Sequence, residues 1–266
     1  MPVTFRTRLF ALILILGLIT ILPAALTAQS VRADTNYALA FDGLTDYVAL
    51  PPAAALFNNP TWVSTKTVSA WIYVDPSTPA APTTNPPAGE VILATDFPRA
   101  FGFNRASFNG LDRIWVYNAD NNGVDQIPVE YTPGTWLHIA AVHHAGTLTV
   151  YKDGVLVNAV SSGATAYTPG TFYMGGSGRS GTTTYFQGQL DEARFWNAAL
   201  DQPTIAAWLA VELTPAHPQY ASLAAYYRMS AGAGTTLPDD SAHGQSGALL
   251  GGMGDSSWVT FGLPFQ

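Results

Sequence analysis

Between Trp136 and Val160 the chain reads as three consecutive strands, and this stretch constrains the fold more than any other. Trp136 to His144 is apolar and β-rich, and a short break leads into Thr147 to Tyr151. Lys152-Asp153-Gly154-Val155 then turns the chain into Val155 to Val160. Asp-Gly suits a tight hairpin, because glycine accepts a positive φ without a Cβ clash.

Similar signals recur along the sequence. Tyr37 to Phe41, a turn at Asp42-Gly43, and Tyr47 to Leu50 form the first pair. Val68 to Val74 alternates, with Val68, Ala70, Ile72 and Val74 on one face and Ser69, Trp71 and Tyr73 on the other. Glu90 to Ala94, Phe101 to Asn104, Arg113 to Tyr117, Thr171 to Met174 and Thr184 to Trp196 are further strands. Asp75 to Gly89, rich in Pro, Thr and Ala, reads as a long surface loop outside any sheet ladder. One helix is expected: Asp201 caps it, Pro203 lies in its first turn, and Ile205, Trp208 and Leu209 share a face. Strands at short intervals with a single short helix predict an all-β sandwich rather than an α/β enzyme.

The N-terminus has the pattern of a secretory signal: Arg6 and Arg8, then an apolar run from Leu9 to Leu22, Pro23, and small residues. That run falls short of the ~20 residues of a comfortable membrane span. Cleavage is expected after Ala28 or Ala33, leaving residues 34–266 as one large β domain; an uncleaved anchor is the alternative. Either way the folded part is expected to be secreted or held at the cell surface, with no membrane span after cleavage. There are no cysteines, so core packing must stabilise it, with or without a metal. The net charge of −7 becomes −9 without Arg6 and Arg8, which argues against nucleic acid and anionic membranes as partners. Charged residues are only 11%, so the surface is expected to be built from Thr, Ser, Asn, Gln and Gly.

Gly134 to Val142 (Gly-Thr-Trp-Leu-His-Ile-Ala-Ala-Val), the Asp153-Gly154 turn, and Gly188 to Leu200 (Gly-Gln-Leu-Asp-Glu-Ala-Arg-Phe-Trp-Asn-Ala-Ala-Leu) occur in that order and spacing. Together they resemble the laminin-G-like, concanavalin A-like jelly-roll family of extracellular binding modules. The resemblance covers roughly Tyr37 to Leu250 and implies a two-sheet antiparallel jelly roll. It speaks to fold, and fold alone does not fix function. Leu223 to Met229, Gly232 to Thr236, Asp239 to Ser241 and Gly247 to Gly251 resemble the segment that usually begins such a module, yet here they come last. Residues 220–266 are therefore expected to fold back and complete the same sandwich in a permuted order.

Asp191 stands out among the polar residues. Simple alternation puts it on a face with Ala193 and Phe195, with Leu190, Glu192, Arg194 and Trp196 opposite. A carboxylate there is expected to be buried, and a buried charge needs a partner. Calcium, backbone N–H groups or an arginine would each serve. The family often carries calcium, and the resemblance then implies Asp42, Asp46 and Asp240 as co-ligands of Asp191.

Several motifs dissolve on inspection. Asn118 to Gly123 imitates the start of an EF-hand loop, but position twelve is Val129 and strands flank it, so a hairpin is expected. Gly176 to Gly181 spells a dinucleotide fingerprint, but Thr182 to Phe186 reads as a following strand, so it is a surface loop. His138 shares a face with Trp136, Ala140 and Val142 and reads as a hydrogen-bonded core histidine. His143 and His144 point to opposite faces, and His217 and His243 are isolated.

No catalytic constellation appears. There is no cysteine nucleophile and no Gly-x-Ser-x-Gly elbow. The Glu-x-Asp-x-x-Glu pattern usual in sandwich hydrolases of the concanavalin-like type is also missing. Tyr73, Trp115, Tyr117 and Tyr185 alternate away from the more aliphatic faces of their strands and are the candidates for stacking on a sugar. The expected function is a non-catalytic module that binds a glycan or an extracellular protein. The alternatives are a concanavalin A-like glycoside hydrolase or polysaccharide lyase, and a structural surface-coat protein.

Overall fold

A computed structural model describes residues 36–57, 65–95, 100–120, 123–163, 170–177 and 184–260. All of these fall within the unit Asp34–Gln266. The expected signal segment, residues 1–33, lies outside the described residues, as do positions 121–122 of the EF-hand-like stretch and 178–181 of the glycine-rich one.

Among the described residues seventeen strands follow one another: β1 Ala38–Asp42, β2 Tyr47–Pro52, β3 Lys66–Val74, β4 Glu90–Thr95, β5 Phe101–Phe108, β6 Leu111–Asp120, β7 Gly123–Val129, β8 Trp136–His144 and β9 Thr147–Lys152. Then come β10 Val155–Ser161, β11 Thr171–Met174, β12 Thr184–Tyr185, β13 Gln187–Trp196, β14 Leu223–Tyr227, β15 Thr236–Leu237, β16 Gly247–Leu250 and β17 Trp258–Val259. One sheet runs β10-β9-β8-β3-β13-β1-β17, with β14 also on β13; the other runs β15-β16-β2-β11-β4-β5-β6-β7, with β12 on β4. All pairings between these strands are antiparallel except β12 with β4. The architecture is the expected two-sheet jelly-roll sandwich.

Alternation explains the layers. Val68, Ala70, Ile72 and Val74 of β3 face inward, as do Val48 and Leu50 of β2 and Phe172 and Met174 of β11. Phe172 of one sheet meets Phe195 of the other edge-on at 5.2 Å, which ties the sheets through their aromatic edges. The hairpin between β9 and β10 turns on Asp153 (φ 50°) and Gly154 (φ 76°), both positive as a two-residue turn of this twist requires.

Three features depart from the sequence reading. β7 contains Pro128 and closes one edge of its sheet, where a missing N–H is tolerated. A short helix α1, Ala53–Leu56, precedes the expected one, α2, Gln202–Trp208. The loop after Asp75, expected to stay outside any sheet ladder, makes an isolated bridge between Thr83 and Ser107 and a 3-10 turn at Pro86–Ala88.

The C-terminal strands join both sheets. β14 pairs with β13, β16 with β2, and β17 with β1. β1 and β14 share one edge of β13: β1 lies beside Gln187–Leu190, and β14 beside Ala193–Trp196.

The outer face of the first sheet carries a second apolar layer. Asp201 caps α2 by accepting from the Thr204 N–H at 2.9 Å. Ile205 then packs with Ala140, Val142, Trp196 and Leu223. Carbonyls at and beyond the end of a helix have no intrahelical partner. Here Arg194 donates to the carbonyls of Trp208 at 2.6 Å and Val211 at 2.7 Å, and the Trp71 indole donates to that of Leu209 at 2.7 Å. The sheet thus holds its cover by side-chain donors as well as by apolar contact.

Candidate functional site

A cleft of about 430 Å³ opens between the turn after β1, the loop after β3, and the β12–β13 segment. Each wall is fixed by local chemistry. In the turn, the Asp42 carboxylate accepts from the N–H groups of Leu44 at 2.8 Å, Thr45 at 2.9 Å and Asp46 at 3.1 Å. Gly43 has φ 75° and lies so close to Gln187 that a Cβ would sit 2.8 Å from that side chain. Leu44, at the tip, is 72% exposed. On the opposite wall, Asp75 accepts from the Ser77 hydroxyl at 2.6 Å, and Ser77 accepts from the Gln187 amide at 3.1 Å.

Glu90 and Tyr185 also line the cleft. Arg105 donates to both Glu90 carboxylate oxygens, at 3.1 and 3.0 Å, to the Tyr131 hydroxyl at 2.6 Å, and to the Pro79 carbonyl at 2.7 Å. One buried guanidinium therefore fixes the strand residue Glu90 and the loop above it together, a geometry a lysine could not reproduce. Tyr185 lies with its ring 6.5 Å from that of Tyr47, which is 6.2 Å from that of Tyr173.

Burial pushes the Glu90 carboxyl above its usual range despite the opposing pull of Arg105. Burial likewise raises the Asp46 carboxyl, and the neighbouring Asp42 charge adds to it. Burial also works against the Asp42 carboxylate, but the N–H groups of Thr45, Leu44 and Asp46 outweigh it and hold that carboxyl below its usual range.

The cleft residues fall inside a region, 41–206, that matches a family model described as the concanavalin A-like lectin/glucanases superfamily. The chain belongs to that superfamily. No curated protein matches this lectin/glucanase domain. Among solved structures it is similar to a provisionally described carbohydrate binding protein from Bacteroides ovatus ATCC 8483. That match has 19% identity and a TM-score of 0.57, and it covers 81% of this chain and 58% of the other. It is also similar to a native heptameric SAP-like pentraxin from Limulus polyphemus, at 19% identity and a TM-score of 0.45, over 65% of this chain and 82% of that one. Domain 4 of AbnA, a GH43 extracellular arabinanase from Geobacillus stearothermophilus, in complex with arabinotriose, matches at 18% identity and a TM-score of 0.41, over 64% and 75% of the two chains. At these identities the likeness is one of fold.

Within the lectin/glucanase domain the four sugar-stacking candidates separate. Tyr185 lines the cleft. Tyr73 is half-buried on the outer face of the first sheet, with its ring 5.5 Å from that of Trp136. Trp115 and Tyr117 do face away from the core, but they are not exposed. The Trp115 indole donates to the Ala106 carbonyl at 3.0 Å, and its ring meets Phe108 edge-on. Tyr117 packs with Ala94, Ala100 and Ala119 in an apolar cluster of its own. Alternation gives the face and says nothing of what covers it. Tyr47 and Tyr173 were missed, although both alternate with core residues (Val48 and Leu50, Phe172 and Met174) and the same rule finds them.

Among the described residues the four carboxylates are not gathered into one set. Asp42 and Asp46 share the cleft turn, where the Asp46 side chain accepts from the Asp42 N–H at 3.2 Å. Asp191 and Asp240 each feel the charge of Arg228. Among the described residues no group of three or more His, Cys, Asp or Glu side chains is arranged to hold a metal ion. The carboxylates as placed do not fit a calcium cage, which needs several oxygens on one centre. Asp191 is fully buried, as expected, but not beside Ala193 and Phe195. It lies opposite Trp71, on the outer face, because β13 bulges after it. Its Oδ1 accepts from the Glu192 N–H at 2.9 Å, and burial, with the adjacent Glu192 charge, pushes its carboxyl well above the usual range.

His138 is buried as expected, but neither ring nitrogen finds a hydrogen-bond partner among the described residues. Its ring sits edge-on to Trp71 at 5.4 Å, and burial pushes its pKa down to about 3.

Proposed function

We propose that this protein is an exported, non-catalytic glycan-binding module whose site is the cleft lined by Tyr185, Gln187 and Glu90. The observation that carries this reading is a tyrosine ring beside fixed polar groups in an open cleft. A sugar needs a flat apolar ring for its C–H face and aligned donors and acceptors for its hydroxyls. Tyr185 offers the ring, and the Gln187 amide and Glu90 carboxylate offer polar atoms held by Ser77 and Arg105.

The similarity to the described carbohydrate binding protein from Bacteroides ovatus supports a glycan as ligand. The N-terminal pattern of Arg6, Arg8 and Leu9 to Leu22 supports export. Glycoside hydrolysis needs two carboxyl groups across the scissile bond. Among the described residues lining the cleft, Glu90 is the one carboxylate, and both its oxygens are engaged by Arg105. That supports binding without cleavage.

The test is to mix the protein with a panel of polysaccharides, with calcium and with chelator, and to measure both binding and polymer length. Saturable binding with polymer length unchanged is the expected result. Shortening of any polymer would replace this reading with a hydrolase or lyase. Binding lost with chelator would show a calcium requirement at the site.

A further inference from the structure

The cleft is acidic, and this bears on which glycans it can hold. Glu90 lines it directly. Asp42 and Asp46 form the turn whose tip residues, Gly43 and Leu44, make one wall. Asp75 anchors the opposite wall through Ser77. Asp112 lies behind Glu90, 3.3 Å from Arg105 and 2.9 Å from the Tyr131 hydroxyl. Against these five carboxylates the described residues around the cleft supply Arg105, which points away from solvent with its side chain only 2% exposed, and Arg113, which donates to the Asp112 carbonyl at 2.7 Å and pairs with Glu130 at 2.8 Å. The Arg105 donors are spent on Glu90, Asp112, Tyr131 and the Pro79 carbonyl.

We infer that the cleft selects uncharged glycans and rejects anionic ones, such as uronate-rich, sulfated or sialylated polymers. The inference rests on the glycan reading of the same cleft. A neutral sugar brings hydroxyl donors to the Glu90 carboxylate and the Gln187 carbonyl oxygen. A carboxylate or sulfate brings a like charge into a partly desolvated site with no cation among the described residues that line it, and such a juxtaposition works against the wrong partner. Arg105 is the device that keeps Glu90 in place. It holds the carboxylate at the cleft wall without offering a donor to the ligand.

The experiment compares neutral polymers (arabinan, galactan, xylan, β-glucan) with anionic ones (polygalacturonate, alginate, hyaluronan) on the intact protein, across a salt series. Neutral binding should be nearly independent of salt. Anionic polymers should bind more weakly by roughly tenfold or more at low salt, and the gap should narrow toward 1 M salt, where the screening length is about 3 Å. Glu90→Gln should narrow the gap between anionic and neutral polymers at low salt. Should that variant melt early, the salt series on the unaltered protein still decides the matter. An anionic polymer bound as tightly as the neutral ones, or more tightly, overturns the charge selection while leaving glycan binding intact. No binding by any polymer overturns the glycan reading and the selection with it.

Discussion

Asp191 and Arg194 are three residues apart on β13, yet both point to the outer face of their sheet, opposite Trp71 and Ser69 of β3. A regular strand would send them to opposite faces. The bulge at Glu192, whose φ is 51°, absorbs the extra residue. Leu190 and Ala193 consequently both face the core, while Asp191, Glu192 and Arg194 gather under the α2 cover. There Glu192 accepts from Arg194 Nε at 3.0 Å and from the Tyr226 hydroxyl at 2.6 Å.

Removing one member of this buried pair should be costly. Glu192→Ala strands the Arg194 charge, which keeps the carbonyls of Trp208 and Val211 and the face of the Tyr226 ring but no carboxylate in hydrogen-bond contact among the described residues. The expected loss is about 3–5 kcal/mol, read from the shift of the urea midpoint at neutral pH. A change below about 1 kcal/mol would mean that Glu192 contributes little to the network.

Acid should weaken the fold through His138. Its folded pKa of about 3 lies below the 6.5 of an ordinary imidazole. Between those values the unfolded chain binds a proton that the native ring refuses, so stability falls as pH drops through that window. His217, lowered to about 4 by burial, acts in the same direction. Asp191 and Glu192, raised by burial, oppose the trend, so the informative quantity is the difference between the protein and His138→Asn. The variant should lose less stability between pH 6.5 and 3, by an amount on the order of 4 kcal/mol at the acid end. Parallel stability curves for the two proteins would refute the assignment.

Truncation tests the return of the C-terminus. Deleting residues 220–266 removes β14 from β13, β16 from β2 and β17 from β1, and exposes strand edges in both sheets. The expected product shows no cooperative thermal transition. A truncated protein melting as sharply as the intact one would contradict the pairing.

Arg105→Lys keeps the charge but cannot reach Glu90, Tyr131 and the Pro79 carbonyl together. The loop after β3 should loosen. Hydrogen exchange should then speed up at Thr84 and Ser107, whose N–H groups bond to the Ser107 and Pro82 carbonyls. Unchanged exchange at both would show that Arg105 does not hold the loop.

The strands were legible in the sequence wherever alternation ran undisturbed, as in β3, β8 and β11. β7 was not, because Pro128 masks a strand that only an edge position permits. The bulge at Glu192 was invisible for a different reason. It is a backbone event that shifts phase by one residue, and it turned a correct expectation of Asp191 burial into the wrong face. Of the site, Tyr185 could be read from its strand, whereas Trp115 and Tyr117 could not be told from exposed rings without knowing what lies over them. Glu90 gave no signal at all. Its role depends on Arg105 fifteen positions later, and only the pairing of β4 with β5 brings the two together.

Tyr185 is the ring on which glycan binding in the cleft is proposed to depend. The most direct measurement is calorimetric titration of the tightest polymer found in the panel into the intact protein and into Tyr185→Ala, with thermal melts of both. Roughly tenfold or greater loss of affinity is expected with melting nearly unchanged, since the ring is partly exposed and its removal costs contact with ligand more than core. Equal affinity in the two proteins would place the binding surface elsewhere and contradict the account.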